Sequence, residues 1–380
     1  MATQDAQQQQ EQVDELKAAI KERAEAQQLD LNVICFKDEP LDEALQRFLQ
    51  ARKFDLEETL KCISSAITWR NENASKWVAE GKSACLQADE TEVKQFYKGG
   101  YAGHCKIGRP IWYEQTGNAD ISALHCLTTD QRFTKYHVCL MEELQDKYAE
   151  SSKLFGRTIN KTLSILDLQG VTMAKLNSET LNFVKCIAQV DSDNYPETMG
   201  LMLIINAPGI FQVAWKMIKG FLDPRTVSKI EIFGDKSTWK PRLAELVDDD
   251  QLPAELEGKG PPCLSAEVPF IEKDMASGDQ AIVSLAVDDG DKVTYRFFTR
   301  PAGNIVFKLV FKPVGDDSKA VELVPSKQYS EAECSNNSLV HGTVTCPGEG
   351  LVEAIWEHPN WWSRTLLYRA FKEIPNADEA

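Results

Sequence analysis

A chain of 380 residues exceeds what one hydrophobic core comfortably fills, so two or three domains are expected. An apolar fraction of 43 % and an aromatic fraction of 9 % are those of an ordinary globular protein. The formal charge of −16 speaks against nucleic acid as a partner, since phosphate binding needs a basic face, and no run of 18 apolar residues is present to form a membrane-spanning helix.

Met1 to Glu25 is polar, with a glutamine run at Gln7 to Gln10. It lacks the apolar core of a signal peptide and the arginine-rich pattern of a transit peptide, which predicts a cytoplasmic location. Residues 11–75 read as a helical module. Leu41, Ala44, Leu45, Phe48 and Leu49 recur at three- and four-residue steps, as do Leu56, Leu60, Ile63 and Ile67, and Pro40 and Phe54-Asp55 mark the boundaries. From about 100 to 235 short apolar runs (Ile111 to Tyr113, Leu163 to Leu168, Leu201 to Ile205, Ile230 to Phe233) alternate with longer amphipathic stretches such as Gln131 to Glu150 and Leu181 to Val190. That alternation predicts an α/β layer whose sheet is covered by helices, over residues 76–255. Asp248-Asp249-Asp250 and Gly258-Lys259-Gly260-Pro261-Pro262 open a linker over 256–275. Residues 276–375 lose the helical period; runs such as Val293 to Thr299 and Ile305 to Phe311, broken by Asp288-Asp289-Gly290-Asp291 and Pro347-Gly348-Glu349-Gly350, predict an antiparallel β-sandwich.

The motifs of the common enzyme classes are missing: no GxxxxGK[ST] loop, GxSxG elbow, HExxH helix or GxGxxG turn occurs. The ten cysteines form no CxxC pair and read as reduced, partly buried thiols. His104, His125, His137, His341 and His358 have no metal-ligand spacing and read as structural or solvated. Glu142-Glu143 lies on an amphipathic stretch, where a solvated face is the expectation. No catalytic residue, metal or cofactor is therefore expected. Between Pro208 and Pro224, most of Ile210, Phe211, Val213, Ala214, Trp215, Met217, Ile218, Phe221 and Leu222 fall on one broad apolar face, with Gln212, Lys216 and Lys219 opposite. The residues alone leave this helix open to reading as core.

Four segments carry a family resemblance: Leu45-Gln46-Arg47-Phe48-Leu49-Gln50-Ala51-Arg52-Lys53-Phe54-Asp55; Gly108-Arg109-Pro110-Ile111-Trp112-Tyr113-Glu114 with Asp167-Leu168-Gln169-Gly170-Val171-Thr172; Asp193-Asn194-Tyr195-Pro196-Glu197-Thr198-Met199-Gly200 through Asn206-Ala207-Pro208; and Phe221-Leu222-Asp223-Pro224-Arg225-Thr226-Val227-Ser228-Lys229-Ile230. In order and spacing they resemble the CRAL-TRIO lipid-transfer family over residues 40–255, with the second pair matching the first two strands of a pocket floor. The tail, from Pro347 through Trp361-Trp362 to Tyr368, is similar to a GOLD domain, a β-sandwich of Golgi-traffic proteins.

The resemblance implies a carrier that holds a phospholipid and visits a membrane surface, Golgi or endosomal, with a protein partner for the GOLD-like domain. It implies that the 210–222 helix is a gate whose Lys216 and Lys219 meet anionic headgroups. Arg52, Lys53, Glu197, Thr226 and Lys229 match positions that hold inositol phosphate, and Tyr101, Trp112 and Thr172 match phosphatidylcholine contacts. Trp112 replaces a tyrosine and Ala174 a hydroxyl there, so phosphatidylinositol is the favoured ligand. A neutral lipophile (tocopherol, squalene or retinoid) and a lipid-switched adaptor are the alternatives. Trp356, Trp361 and Trp362 are read either as sandwich core or as a partner or membrane surface.

Overall fold

The computed structural model describes residues 2–220, 222–264, 268–301, 303–315, 317–334 and 339–373, the side chains of residues 2–9 and of 317 excepted. In chain order come α1 (Ala2–Ala26), α2 (Leu41–Ala51), α3 (Leu56–Trp69), α4 (Ser75–Glu80), α5 (Lys82–Leu86), α6 (Glu90–Phe96), β1 (Gly99–His104), β2 (Pro110–Glu114), α7 (Ile121–Leu127), α8 (Asp130–Phe155), β3 (Thr162–Asp167), α9 (Ser178–Asn194), β4 (Met199–Ile205), α10 (Phe211–Lys219), α11 (Pro224–Val227), β5 (Ile230–Ile232) and α12 (Lys236–Leu246). Eight strands follow: β6 (Ile271–Met275), β7 (Gln280–Val287), β8 (Lys292–Arg300), β9 (Ile305–Pro313), β10 (Val321–Tyr329), β11 (Val340–Thr345), β12 (Gly350–Glu357) and β13 (Arg364–Lys372).

The chain forms two compact units; the first comprises residues 1–90, 96–121 and 130–265. Its amino-terminal helices close on one another through Ile20, Leu45, Phe48, Leu49, Ile63 and Ile67, the periodic residues of α1, α2 and α3. Asp55 caps α3 by accepting the Glu58 amide at 2.9 Å. Beside this bundle lies a five-stranded sheet in the order β1-β2-β3-β4-β5, antiparallel at β1–β2 and parallel from β2 to β5. Adjacent parallel strands in sequence order need right-handed crossovers on one side, and α8, α9 and α10 provide them.

Register divides the sheet into two faces. Ile111, Leu163, Tyr113, Ile165, Leu203 and Ile205 point one way and are at most 1 % exposed, packed with Trp239, Leu243 and Val247 at α12 and its carboxyl end. Trp112, Ser164, Met202 and Ile230, then Leu166 and Ile232, point the other way, toward the crossover helices, and stay half-buried, while Ile204, in register between Leu166 and Ile232, is buried against α10. Alternation along a strand makes the two sets inseparable in composition but opposite in burial.

Two sequence expectations need correction here. Only Asp167 of the Asp167–Thr172 segment belongs to a strand: the Asp167 carboxylate accepts the Gln169 amide at 2.9 Å, and Gly170 has φ +86°, so the chain turns. The first strand of the floor is Gly99–His104, whose glycines look like a loop. Gly99 is needed because a Cβ there would lie 2.6 Å from the Trp112 ring.

The second unit comprises residues 91–95, 122–129 and 266–380. Two antiparallel sheets, β10-β9-β12-β7 and β11-β8-β13-β6, share a core of Phe297, Phe307, Leu309, Trp356, Leu366 and Tyr368, a β-sandwich. Glu92, fully buried, accepts from Arg296 and Arg369. Trp356 is core at 0 % exposed, whereas Trp361 and Trp362 are 94 % and 78 % exposed.

Candidate functional site

The site is built on the half-buried sheet face. Phe211 and Ala214 of α10 are buried against Leu168 and Ile204, with Leu166, Met202, Trp215, Ile218, Ile230 and Ile232 partly buried around them. Positions 211, 214, 215 and 218 are thus the sheet-facing stripe at helical spacing. Ile210, Val213 and Met217 form a second apolar stripe, 37 %, 59 % and 47 % exposed, and Gln212, Lys216 and Lys219 are exposed beside it. The predicted gate is shorter than its apolar run: Ile210 precedes the helix, Leu222 is half-buried beyond it, and Phe221 lies outside the described residues. The loop that follows is tied down by Arg225, whose guanidinium donates to the Gln50 and Ala51 carbonyls at the end of α2. Sequence reasoning passed over Arg225, although it stands inside a quoted motif.

On the other flank, Tyr101 and Trp112 meet edge to face, ring centroids 4.9 Å apart. Their polar atoms are engaged: Tyr101 Oη donates to the Leu140 carbonyl at 3.2 Å, and Trp112 Nε1 to Glu114 Oε2 at 3.2 Å. Glu114 also accepts from Thr116 at 2.8 Å, and burial raises its pKa. His137 lies 2.7 Å from Asp191. Burial works against the imidazolium, yet Asp191 and then Glu114 raise its pKa overall. Glu142, expected on a solvated face, is instead held by Arg70 at 2.9 Å and by the Tyr195 hydroxyl at 2.6 Å, because α8 packs against the helical module. Thr172 joins none of these: it is exposed on the turn after β3.

Of the remaining predicted residues, Glu197, Thr226 and Lys229 gather at the amino ends of β4 and β5, whereas Arg52 and Lys53 follow α2. Lys229 Nζ lies 2.6 Å from Glu197 Oε2, and the Lys229 amide donates to the Thr226 carbonyl at 3.1 Å, placing Thr226 one turn away. Glu197 has φ +63°, and Arg47 fixes the preceding Pro196 carbonyl at 3.1 Å while paired with Glu39 at 2.7 Å. Lys53 and Phe54 also have positive φ, 57° and 61°, costing of order 1 kcal/mol each where a side chain is present. Lys53 is exposed, while Arg52 reaches the Ser192 carbonyl at 3.3 Å and borders a cleft of about 470 Å³ with Glu58, Lys61, Trp69 and Asp193. Among the described residues no hydrogen bond or ion pair joins Arg52 or Lys53 to Glu197 or Lys229. Thr172 follows β3 whereas Lys229 precedes β5, so a strand length of about 20 Å separates them. Among the described residues no group of histidine, cysteine and carboxylate side chains is placed to hold a metal, and no helix is long and apolar enough to cross a membrane.

Comparison with known proteins adds a family. The CRAL/TRIO domain model matches residues 94–258. The phosphatidylinositol/phosphatidylcholine transfer protein SFH9 of Arabidopsis thaliana is 37 % identical over 213 residues, 56 % of this chain and 36 % of the relative. SFH12 of the same plant is 37 % identical over 213 residues, covering 38 % of its length. The chain thus spans little more than a third of these plant relatives. The Sec14 cytosolic factor of Schizosaccharomyces pombe is 34 % identical over 236 residues, 62 % of this chain and 80 % of the relative. The solved structure of Sfh5 superimposes with a TM-score of 0.47 at 18 % identity, covering 60 % of this chain and 81 % of that one.

Proposed function

This chain belongs to the CRAL/TRIO family, and from that premise we propose that it takes up one phospholipid, phosphatidylinositol first and phosphatidylcholine second, and exchanges it between membranes. The observation that carries the reading is the unequal burial of the sheet: the face beneath α8, α9 and α10 keeps Trp112, Leu166, Met202, Ile230 and Ile232 within reach of solvent. A purely structural sheet would close both faces. The plant relatives are named for transferring the same two lipids.

The physics suits exchange rather than bond-breaking. Some 30 acyl methylenes at roughly 0.8 kcal/mol each forbid free diffusion through water, but a pocket need only match the bilayer it replaces. The rate then falls to the moving cover, α10. Its exposed stripe of Ile210, Val213 and Met217, flanked by Lys216 and Lys219, suits a membrane surface, each lysine adding about 1 kcal/mol near anionic lipid. Glu197, Lys229 and Thr226 supply the inositol headgroup end, with Arg52 and Lys53 at the neighbouring helix terminus. Tyr101 and Trp112 supply an aromatic wall for choline.

The second unit is proposed as a GOLD-like module, giving the order seen in supernatant protein factor and its relatives. The exposed Trp361-Trp362 pair favours a role in docking a protein or membrane, and with it peripheral attachment of a cytoplasmic carrier. The test of the lipid reading is native mass spectrometry of the purified protein, with phosphatidylinositol and phosphatidylcholine transfer assays on Lys229→Ala. A bound phospholipid, and loss of phosphatidylinositol transfer with phosphatidylcholine transfer retained, are expected. A bound neutral lipophile, or equal loss of both, contradicts the headgroup assignment.

A further inference from the structure

The parallel strands gather more positive charge than the headgroup reading uses. Arg109 immediately precedes β2, Lys161 precedes β3, Glu197 lies two residues before β4, and Lys229 precedes β5. Four neighbouring strands thus begin side by side with three cations and one carboxylate. Lys229 Nζ and Lys161 Nζ lie 2.6 Å and 4.0 Å from the same oxygen, Glu197 Oε2, and the three side chains are 24 %, 30 % and 12 % exposed. The Arg109 guanidinium lies over Gly200, at the irregularity between β3 and β4; a Cβ there would be 2.7 Å from its Cζ. Among the described residues that guanidinium makes no hydrogen bond or ion pair. The other cation near Lys161, Arg47, is already matched by Glu39. Burial first, then Lys229 and Arg109, hold the Lys161 ammonium below the usual lysine value despite Glu197.

We propose that Lys161 and Arg109, with Lys229, form a dianion subsite at the amino ends of β2, β3 and β5 that takes a phosphomonoester on the lipid headgroup. The inference rests on the headgroup reading above and sharpens it: the preferred cargo is a phosphorylated inositide rather than phosphatidylinositol itself. One carboxylate leaves three half-buried cations two charges in excess, and the single negative charge of a phosphodiester does not neutralise them. A phosphomonoester carries close to two negative charges at pH 7 and three acceptor oxygens, enough for one guanidinium and two ammoniums. Lys161 is the residue that makes the difference, since Lys229 alone is matched by Glu197.

The test uses the full chain and calorimetric titration with short-chain phosphatidylinositol, its 3-, 4- and 5-monophosphates, and the corresponding deacylated headgroups. At least one monophosphate should bind about tenfold or more tightly than phosphatidylinositol, the gain expected of added charge-assisted bonds. Lys161→Gln and Arg109→Gln should each erase that preference while leaving phosphatidylinositol affinity within about twofold, and Lys161→Arg should keep it. The deacylated headgroup should bind at least about tenfold more weakly than its lipid, since it buries no acyl chain. Equal affinity for phosphatidylinositol and all three monophosphates overturns the subsite but leaves the carrier intact, as does a preference that survives Lys161→Gln. Headgroups that bind as tightly as lipids reassign the site to free phosphates, and failure to bind any inositide sinks the headgroup reading with the subsite.

Discussion

The two faces of the one parallel sheet are made of similar residues and finished differently. Leu203 and Ile165 face α12 and are wholly buried, while Met202, Leu166 and Ile230, their neighbours along or across the strands, face three crossover helices and remain half-buried. Both sets are aliphatic, so composition cannot explain the difference; the cover does. α12 buries Ile165, Leu203 and Ile205 fully, whereas the crossover helices bury Ile204 and leave Leu166, Met202 and Ile230 as a half-covered apolar floor. On the proposed reading, that floor would take up lipid for the same reason that it is costly to leave open.

The largest expected effect that tests this contrast is on stability. Leu203→Ala should cost about 2–5 kcal/mol in urea unfolding, as for a closed core, and Leu166→Ala less than half as much. Equal losses would mean that both faces are packed alike. Next, Met202→Trp should reduce uptake of a fluorescent phospholipid by about tenfold or more at a cost below about 1 kcal/mol, as the proposed acyl-chain site would have room for the ring. A penalty of about 1–3 kcal/mol would show instead that the position has no room.

A pH effect comes from the helices over the open face. The His137 pKa is raised above 6.5 in the folded chain by Asp191 and Glu114, against the opposing effect of burial. A raised histidine pKa gives stability that is fully present below the unfolded value and lost as pH rises through the folded one. Unfolding free energy should therefore fall as pH is taken upward from about 6.5, by no more than about 1.4 kcal/mol per pH unit, and His137→Asn should remove that part of the slope. A slope unchanged in the variant would place its origin elsewhere. The smallest stability effect belongs to the outer stripe of α10. Val213→Ser with Met217→Ser should change stability by no more than about 0.5 kcal/mol while weakening co-sedimentation with phosphatidylinositol-containing vesicles. Undiminished vesicle binding would remove this stripe from the membrane surface.

Much of the architecture was legible from periodicity alone. Four apolar runs became β2 to β5, and the amphipathic stretches became α2, α3, α8 and α9. What escaped is instructive. Gly99 and Gly100 hid β1, because their role is to clear room for Trp112 and for the Cys263 carbonyl, which no local pattern announces. The Asp167–Thr172 motif read as strand, although its Gly170 carried the turn signal. Within the site, Glu197 and Lys229 come together at 2.6 Å and Tyr101 meets Trp112, while Thr172 stands at the opposite end of the sheet. Motif matching ranks residues but does not measure the strand between them. Lys161 lay outside every motif and Arg109 lay inside one without a role, because a parallel sheet, not sequence proximity, brings strand starts together.

The most direct test of the open face is photo-crosslinking with phosphatidylinositol carrying a diazirine in one acyl chain, read residue by residue by mass spectrometry. Adducts should fall on Trp112, Leu166, Met202, Ile230 and the inward residues of α9 and α10. Adducts concentrated on α12, or on the β-sandwich alone, would contradict the account.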